Sequence, residues 1–165
     1  MKAVFIGRFQ PFHNGHLYAL KKIAKNYDEI FIVIGSADKG FEKENPFTAE
    51  ERKEMLKSVL AGLKIKAKII PVDDVENDEL WLAGILDKIR KIDAVFSNNS
   101  WVRRIFEHAG YRVESTGRYK RGVYEGKQIR RLMSEGKKWE RCVPAEVVRY
   151  IEKINGAERI NKLFK

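Results

Sequence analysis

One cysteine in 165 residues means that no disulfide can form within this chain. A small bridge-stapled fold is thereby excluded, and a reducing compartment such as the cytoplasm suits the composition. Cys142 has no partner motif around it and reads as a partly buried thiol. Long apolar runs are also missing. None approaches the roughly 18 residues that a membrane-spanning helix needs. The apolar run Ala3–Ile6 begins so early that no signal peptide is expected before it. Internal repeats, low-complexity segments and linkers are lacking too, so one domain covering 1–165 is expected, with length enough for a real core. Acid is outnumbered: 23 Asp and Glu face 33 Lys and Arg, a formal net charge of +10. Part of the excess is local, because residues 112–141 hold ten Lys and Arg, including Arg118 and Arg121, against four Glu. Such a field attracts polyanions, a triphosphate or an RNA. It also fits a solvated Lys/Glu-rich surface of the kind heat-adapted proteins carry.

What is present is a regular alternation. Apolar runs predict strands at 3–6, 30–35, 68–72, 94–97 and 112–115. Helical patterns fall near 16–26, 49–61, 79–91 and 100–109. Thr48 and Glu51 form a capping-box pattern before the second helix, and Gly110 is placed to end the fourth. Continuous apolar strands separated by helices predict a five-stranded parallel sheet covered on both faces, a doubly wound α/β core over 1–115. Its ligands belong at the carboxyl ends of the strands. After 115 the strand pattern stops. A basic loop over 117–126 leads to a C-terminal helical extension with helices near 127–135, 145–154 and 157–163. Pro144 suits a first turn and Gly156 a break.

The most informative segment is Gly7-Arg8-Phe9-Gln10-Pro11-Phe12-His13-Asn14-Gly15-His16, between the first strand and first helix. A helix start presents unpaired N–H groups and the positive end of its dipole, a ready phosphate site. His13 and His16 are three apart, so both can face one spot if the turn is helical. Gly15 between them lets the backbone approach a ligand. A zinc pair is the weaker reading, since no third ligand is nominated. His108, on an amphipathic helix, reads as a surface residue.

The decapeptide resembles the HxGH motif of the nucleotidyltransferases, and at full length the archaeal nicotinamide mononucleotide (NMN) adenylyltransferases. Gly35-Ser36-Ala37, Glu44-Asn45-Pro46-Phe47-Thr48-Ala49 with Glu51-Arg52, and Trp139-Glu140 to Pro144 are similar to the same group. The resemblance implies a Rossmann-like nucleotidyltransferase fold. It implies an adenylyltransferase that joins ATP and NMN to give NAD and pyrophosphate, with Mg2+ held mainly by the ATP phosphates. It also implies a homo-oligomer, often a hexamer. By resemblance His16 contacts the phosphate under attack, His13 binds the triphosphate and Arg8 lies near the phosphates. The ATP-binding set becomes Gly7, Arg8, Phe9, His13, Gly15, His16, Ser97, Asn98, Lys127, Ile129 and Arg130, with His16, His13, Arg130 and Arg8 as the catalytic candidates. The acceptor-binding set becomes Ser36, Ala37, Asp38, Asn45, Pro46, Phe47, Arg52 and Trp81, with Trp81 stacking on the nicotinamide ring or serving as a core tryptophan.

The chemistry is consistent with this equipment. A phosphomonoester is mostly dianionic at pH 7, so no general base is needed. The protein must align attacker and leaving pyrophosphate and stabilise spreading negative charge. Several residues depart from the family pattern. Asp38 stands where glutamine is usual, Gly40-Phe41 where Ser-His is usual, and Ser97-Asn98-Asn99 where Ser-Gly-Asn is usual. The hydroxyl residues before Ile129-Arg130 are replaced by Glu125 and Lys127. These departures leave other phosphate acceptors open: nicotinic acid mononucleotide, FMN or phosphopantetheine. A non-catalytic basic nucleic-acid-binding module is the alternative from another class.

Overall fold

A computed structural model of the chain describes residues 1–117, 119–120 and 122–165. Arg118 and Arg121, two of the cations counted in the basic segment, lie outside the described residues. The strands are β1 (Lys2–Gly7), β2 (Glu29–Ile34), β3 (Ala67–Pro71), β4 (Ala94–Phe96) and β5 (Val113–Glu114). The helices are α1 (Asn14–Ala24), α2 (Ala49–Leu63), α3 (Asp78–Lys88), α4 (Ser100–His108), α5 (Gly126–Ser134), α6 (Ala145–Lys153) and α7 (Gly156–Leu163). A short 3-10 turn, Glu140–Cys142, was not anticipated in the helical extension.

The chain groups into two compact units that do not follow the sequence in two blocks. The first comprises residues 1–8, 19–38 and 65–117; the second comprises 9–18, 39–64 and 118–165. The decapeptide is thus divided after Arg8, and α1 after Tyr18.

The first unit carries the five-stranded sheet in the order β3-β2-β1-β4-β5, with every pair parallel. In β1 the four residues Ala3, Val4, Phe5 and Ile6 are all buried, which is why the strand reads as a continuous apolar run instead of alternating. One face supplies Val4, Ile6, Phe31, Val33 and Val95 to a core shared with Trp81 and Ile85 of α3, its C-cap Ile89, and Val102, Ile105 and Phe106 of α4. Gly110, with φ of +84°, stands just beyond the C-cap of α4 in the left-handed region that glycine adopts without strain.

In the second unit α2 packs on α6 and α5 on α7. The Thr48 capping box is formed in full: Glu51 N–H donates to Thr48 Oγ1 at 3.2 Å, and Thr48 N–H donates to Glu51 Oε2 at 2.9 Å. The same Glu51 carboxylate takes two 2.7 Å hydrogen bonds from Arg159 of α7. That ties the start of α2 to the C-terminal helix through a largely buried bidentate pair. The sequence signal at Gly156 marks the first residue of α7, and the turn itself is made by Asn155 at φ +52°.

Candidate active site

The second unit holds the two histidines. The helix carrying them starts at Asn14, two residues before the expected start, and His13 occupies the N-cap: Leu17 N–H donates to its carbonyl at 3.0 Å. His16 is then the third helical residue. His16 N–H donates to His13 Nδ1 at 3.3 Å, and His13 N–H donates to His16 Nδ1 at 3.2 Å. This is the reciprocal pattern of a capping box, built from imidazoles in place of a hydroxyl and a carboxylate. The rings stack at 3.6 Å with 21° between planes. A Cβ on Gly15 would lie 3.0 Å from His13 Cε1 and 3.2 Å from the Tyr124 carbonyl oxygen, so packing demands glycine between them.

The box decides the state of both rings. Each Nδ1 accepts, so each neutral ring carries its hydrogen on Nε2. Burial, helped by the Arg130 charge, pushes His13 down to about 3. Burial and the neighbouring His13 hold His16 well below the ordinary imidazole value. Both are therefore neutral N–H donors at pH 7, not cations. His16 is held further by Phe9, edge-on at 4.8 Å, and by Phe12 at 5.4 Å.

Arg130, in α5, is a buried cation of this unit at 4% exposure. It donates to the Gln10 carbonyl at 2.8 Å and to Glu44 Oε2 at 3.1 Å. A Cβ on Gly126 would sit 3.0 Å from the Arg130 guanidinium and 3.3 Å from that carbonyl, so this residue too must be small. Gln10, unremarked in the sequence, is buried and clamps Phe47 with both ends of its amide, at 2.8 and 2.9 Å. A cleft of about 300 Å³ is lined by Arg130, Lys127, Arg131, Gln128, Glu125 and Glu44, among others. Glu125 is the N-cap residue of α5, and its carboxylate accepts from Gly122 N–H at 3.1 Å.

The first unit offers a separate cleft of about 340 Å³ at the carboxyl ends of β1, β2 and β4. Its lining includes Gly7, Arg8, Ser36, Asp74, Ser97, Trp81 and Trp101. Strand order changes direction around β1, and such a switch point opens a crevice. Ser36, at φ +48°, donates its hydroxyl to Asp74 Oδ1 at 3.0 Å, and Asp74 N–H donates to Asp38 Oδ1 at 2.8 Å. Trp81 is 3% exposed and packs in the core, with its ring 4.7 Å from that of Trp101. Among the described residues its Nε1 is buried without a hydrogen-bond partner. Trp101 is half-buried, and its Nε1–H donates to Asp78 Oδ1 at 3.0 Å.

Several expected site residues have buried side chains. Phe47 and Ile129 are fully buried, and Phe9 is 1% exposed, so their side chains pack inside the protein. Asn45 and Pro46 are buried in the second unit, where the Pro46 carbonyl accepts from Arg159 at 3.1 Å. Arg52 is 0% exposed and donates to the carbonyls of Thr48 and Lys39 at 3.2 and 3.4 Å, so it does not lie on the surface. Asn98 ties residues 115–117 together, accepting from Ser115 Oγ at 2.7 Å and Thr116 N–H at 3.0 Å and donating to the Gly117 carbonyl at 2.9 Å. Ser97 lines the first-unit cleft, with its hydroxyl accepting from Asn99 N–H at 3.2 Å. Ala37 is fixed by its own N–H to the Val72 carbonyl at 3.0 Å. Lys127 is exposed. Trp101, Asp74 and Glu44 were not singled out. Trp101 lies in a helical pattern and Asp74 in a charged loop without a motif, while Glu44 opens the Glu44–Ala49 block but has no role assigned by it.

Comparison with known proteins follows the same lines. Residues 4–115 match the cytidylyltransferase-like family model. A nicotinamide-nucleotide adenylyltransferase of Methanolobus tindarius is 42% identical over 164 residues, covering 99% of this chain and 95% of that protein. One from Archaeoglobus fulgidus is 40% identical over 169 residues, covering 99% and 97%. A bifunctional NMN adenylyltransferase/ADP ribose pyrophosphatase from Francisella tularensis, crystallised with AMP and a manganese ion, has the same fold at TM-score 0.79 and 24% identity. It covers 98% of this chain, which spans about half of that longer protein (51%). The chain belongs to the cytidylyltransferase-like family of nucleotidyltransferases and, within it, to the nicotinamide-nucleotide adenylyltransferases.

Proposed function

We propose that the protein transfers the adenylyl group of ATP to NMN, giving NAD and pyrophosphate. The observation that carries this reading is the histidine box at the start of α1, within a relative-wide identity of about 40%. An oxygen of the NMN phosphate attacks the α-phosphorus of ATP; the bond from that phosphorus to the bridging oxygen of the β-phosphate breaks, and pyrophosphate leaves. The nucleophile is already ionised near neutral pH, so no residue needs to remove a proton. His16 Nε2–H donates to the α-phosphate as charge spreads onto its oxygens, and His13 donates to the triphosphate. Both donors are preset by their Nδ1 bonds, and preset dipoles stabilise developing charge without reorganisation. Arg130 and Lys127 bind the β- and γ-phosphates, with the first turn of α5 adding N–H groups.

On the acceptor side, Ser36, Asp38 and Trp81 remain candidates from the sequence, and Trp101 and Asp74 join them. A half-buried indole suits stacking on a cationic nicotinamide ring, and nearby carboxylates favour the cation. Among the described residues no group of three or more His, Cys, Asp or Glu is arranged to hold a metal. Magnesium held mainly by the phosphates of ATP would screen their charge. The test is a panel of acceptors (NMN, nicotinic acid mononucleotide, FMN and phosphopantetheine) with ATP and Mg2+, read as pyrophosphate release. NMN should be the preferred acceptor. Release with another acceptor alone would replace the substrate, and release with none would remove the activity.

A further inference from the structure

The Arg130–Glu44 pair is lopsided. The arginine side chain is 5% exposed and the glutamate 66% exposed, at 3.1 Å. A buried guanidinium without a counter-charge is costly, whereas an exposed carboxylate returns to water at little cost. Glu44 can therefore leave at little cost, and an incoming anion can take its place on Arg130. Their meeting place is the cleft whose other cations are Lys127 and Arg131. Glu44 sits on the stretch between β2 and α2, which is anchored on both sides of it: Glu42 and Asn45 exchange backbone hydrogen bonds at 3.1 and 3.2 Å, and Arg159 holds the Pro46 carbonyl. The carboxylate is thus kept within reach of Arg130 even when displaced.

We propose that Glu44 is a built-in competitor for the pyrophosphate moiety: its carboxylate occupies Arg130 in the empty protein, yields to the β- and γ-phosphates, and returns as pyrophosphate leaves. This rests on the reading of Arg130 as a triphosphate ligand. The carboxylate lowers apparent affinity for pyrophosphate by the fraction of time that it holds Arg130. If that fraction is about nine-tenths, the loss is about tenfold. Glu44 thus keeps the product from lingering on a buried cation.

The test is direct titration of pyrophosphate into the full chain and into Glu44→Gln, with thermal stability of each measured without ligand. The variant should bind pyrophosphate about tenfold more tightly while being no more stable than the parent when empty. In an Arg130→Lys background, the same Glu44→Gln change should give a smaller gain, because the bidentate fork is gone. A purely structural pair would instead loosen the cleft and weaken binding. Equal or weaker pyrophosphate binding by Glu44→Gln overturns the proposal while leaving adenylyl transfer intact. A parent chain that binds no pyrophosphate overturns both.

Discussion

The histidine box and the aromatic cleft hold their polar groups in opposite ways. In the box, each imidazole is fixed by a backbone N–H and by the other ring, and the buried Arg130, whose charge acts on His13, is held by the Gln10 carbonyl and Glu44. In the cleft, Ser36, Asp74 and Asp38 bond to one another on exposed loop surface, beside two indoles of unequal burial. The contrast matches two different tasks. Donors that stabilise a transition state act best when nothing must rearrange as charge moves. A group that recognises a flat cationic ring can yield, because stacking and charge attraction tolerate small displacements.

Variants should therefore fail differently in the two regions. The largest effect belongs to the box: His16→Ala should lower kcat on the order of 10²-fold or more, with the circular dichroism spectrum retained. Near-normal turnover would remove His16 from the chemistry. A middle-sized effect belongs to the cleft. Trp101→Ala should raise the KM for NMN about five- to tenfold, as expected for losing one stacking contact, and change that for ATP far less. Equal changes in both would show that the indole serves packing alone. Trp81→Ala is the poorer probe, because a tryptophan 3% exposed leaves a core cavity when truncated.

The smallest effect is one of pH. An imidazole titrates near 6.5 in an unfolded chain, and in the fold His13 is pushed down to about 3. Between these values the unfolded chain takes up a proton that the native box refuses. The stabilisation is complete above the unfolded value and is lost as pH falls towards the folded one. The slope is at most about 1.4 kcal/mol per pH unit for each histidine. Urea midpoints between pH 7 and 5 should fall, with a shallower fall in His13→Asn and an unchanged slope in Trp101→Ala. A flat profile in the parent would contradict the buried neutral pair.

The sheet was legible because β1 and β2 are buried on both faces and read as unbroken apolar runs. The start of α2 was legible because Thr48 and Glu51 are usual capping residues. The start of α1 was placed two residues late, since histidine is not among the usual caps and its role depends on a reciprocal bond that only the folded turn reveals. In the sites, the spacing of His13 and His16 points to one spot, and the roles proposed for them and for Arg130 come from the family resemblance. Their charge state could not be read locally, because burial is a tertiary property. Arg52 and Phe47 carry a motif that reads as ligand contact by resemblance, and nothing in the local pattern shows that both side chains are buried. Glu44 lies 86 residues from Arg130, and nothing in either local pattern announces the pair.

Two neutral imidazoles, locked by their Nδ1 atoms, are proposed to offer Nε2–H to a triphosphate. Nitrogen NMR of the His13 and His16 side chains at pH 7, with and without ATP, tests it most directly. Both rings should be neutral with hydrogen on Nε2, and both Nε2 signals should move when ATP is added. Imidazolium signals, hydrogen on Nδ1, or rings indifferent to ATP would contradict it.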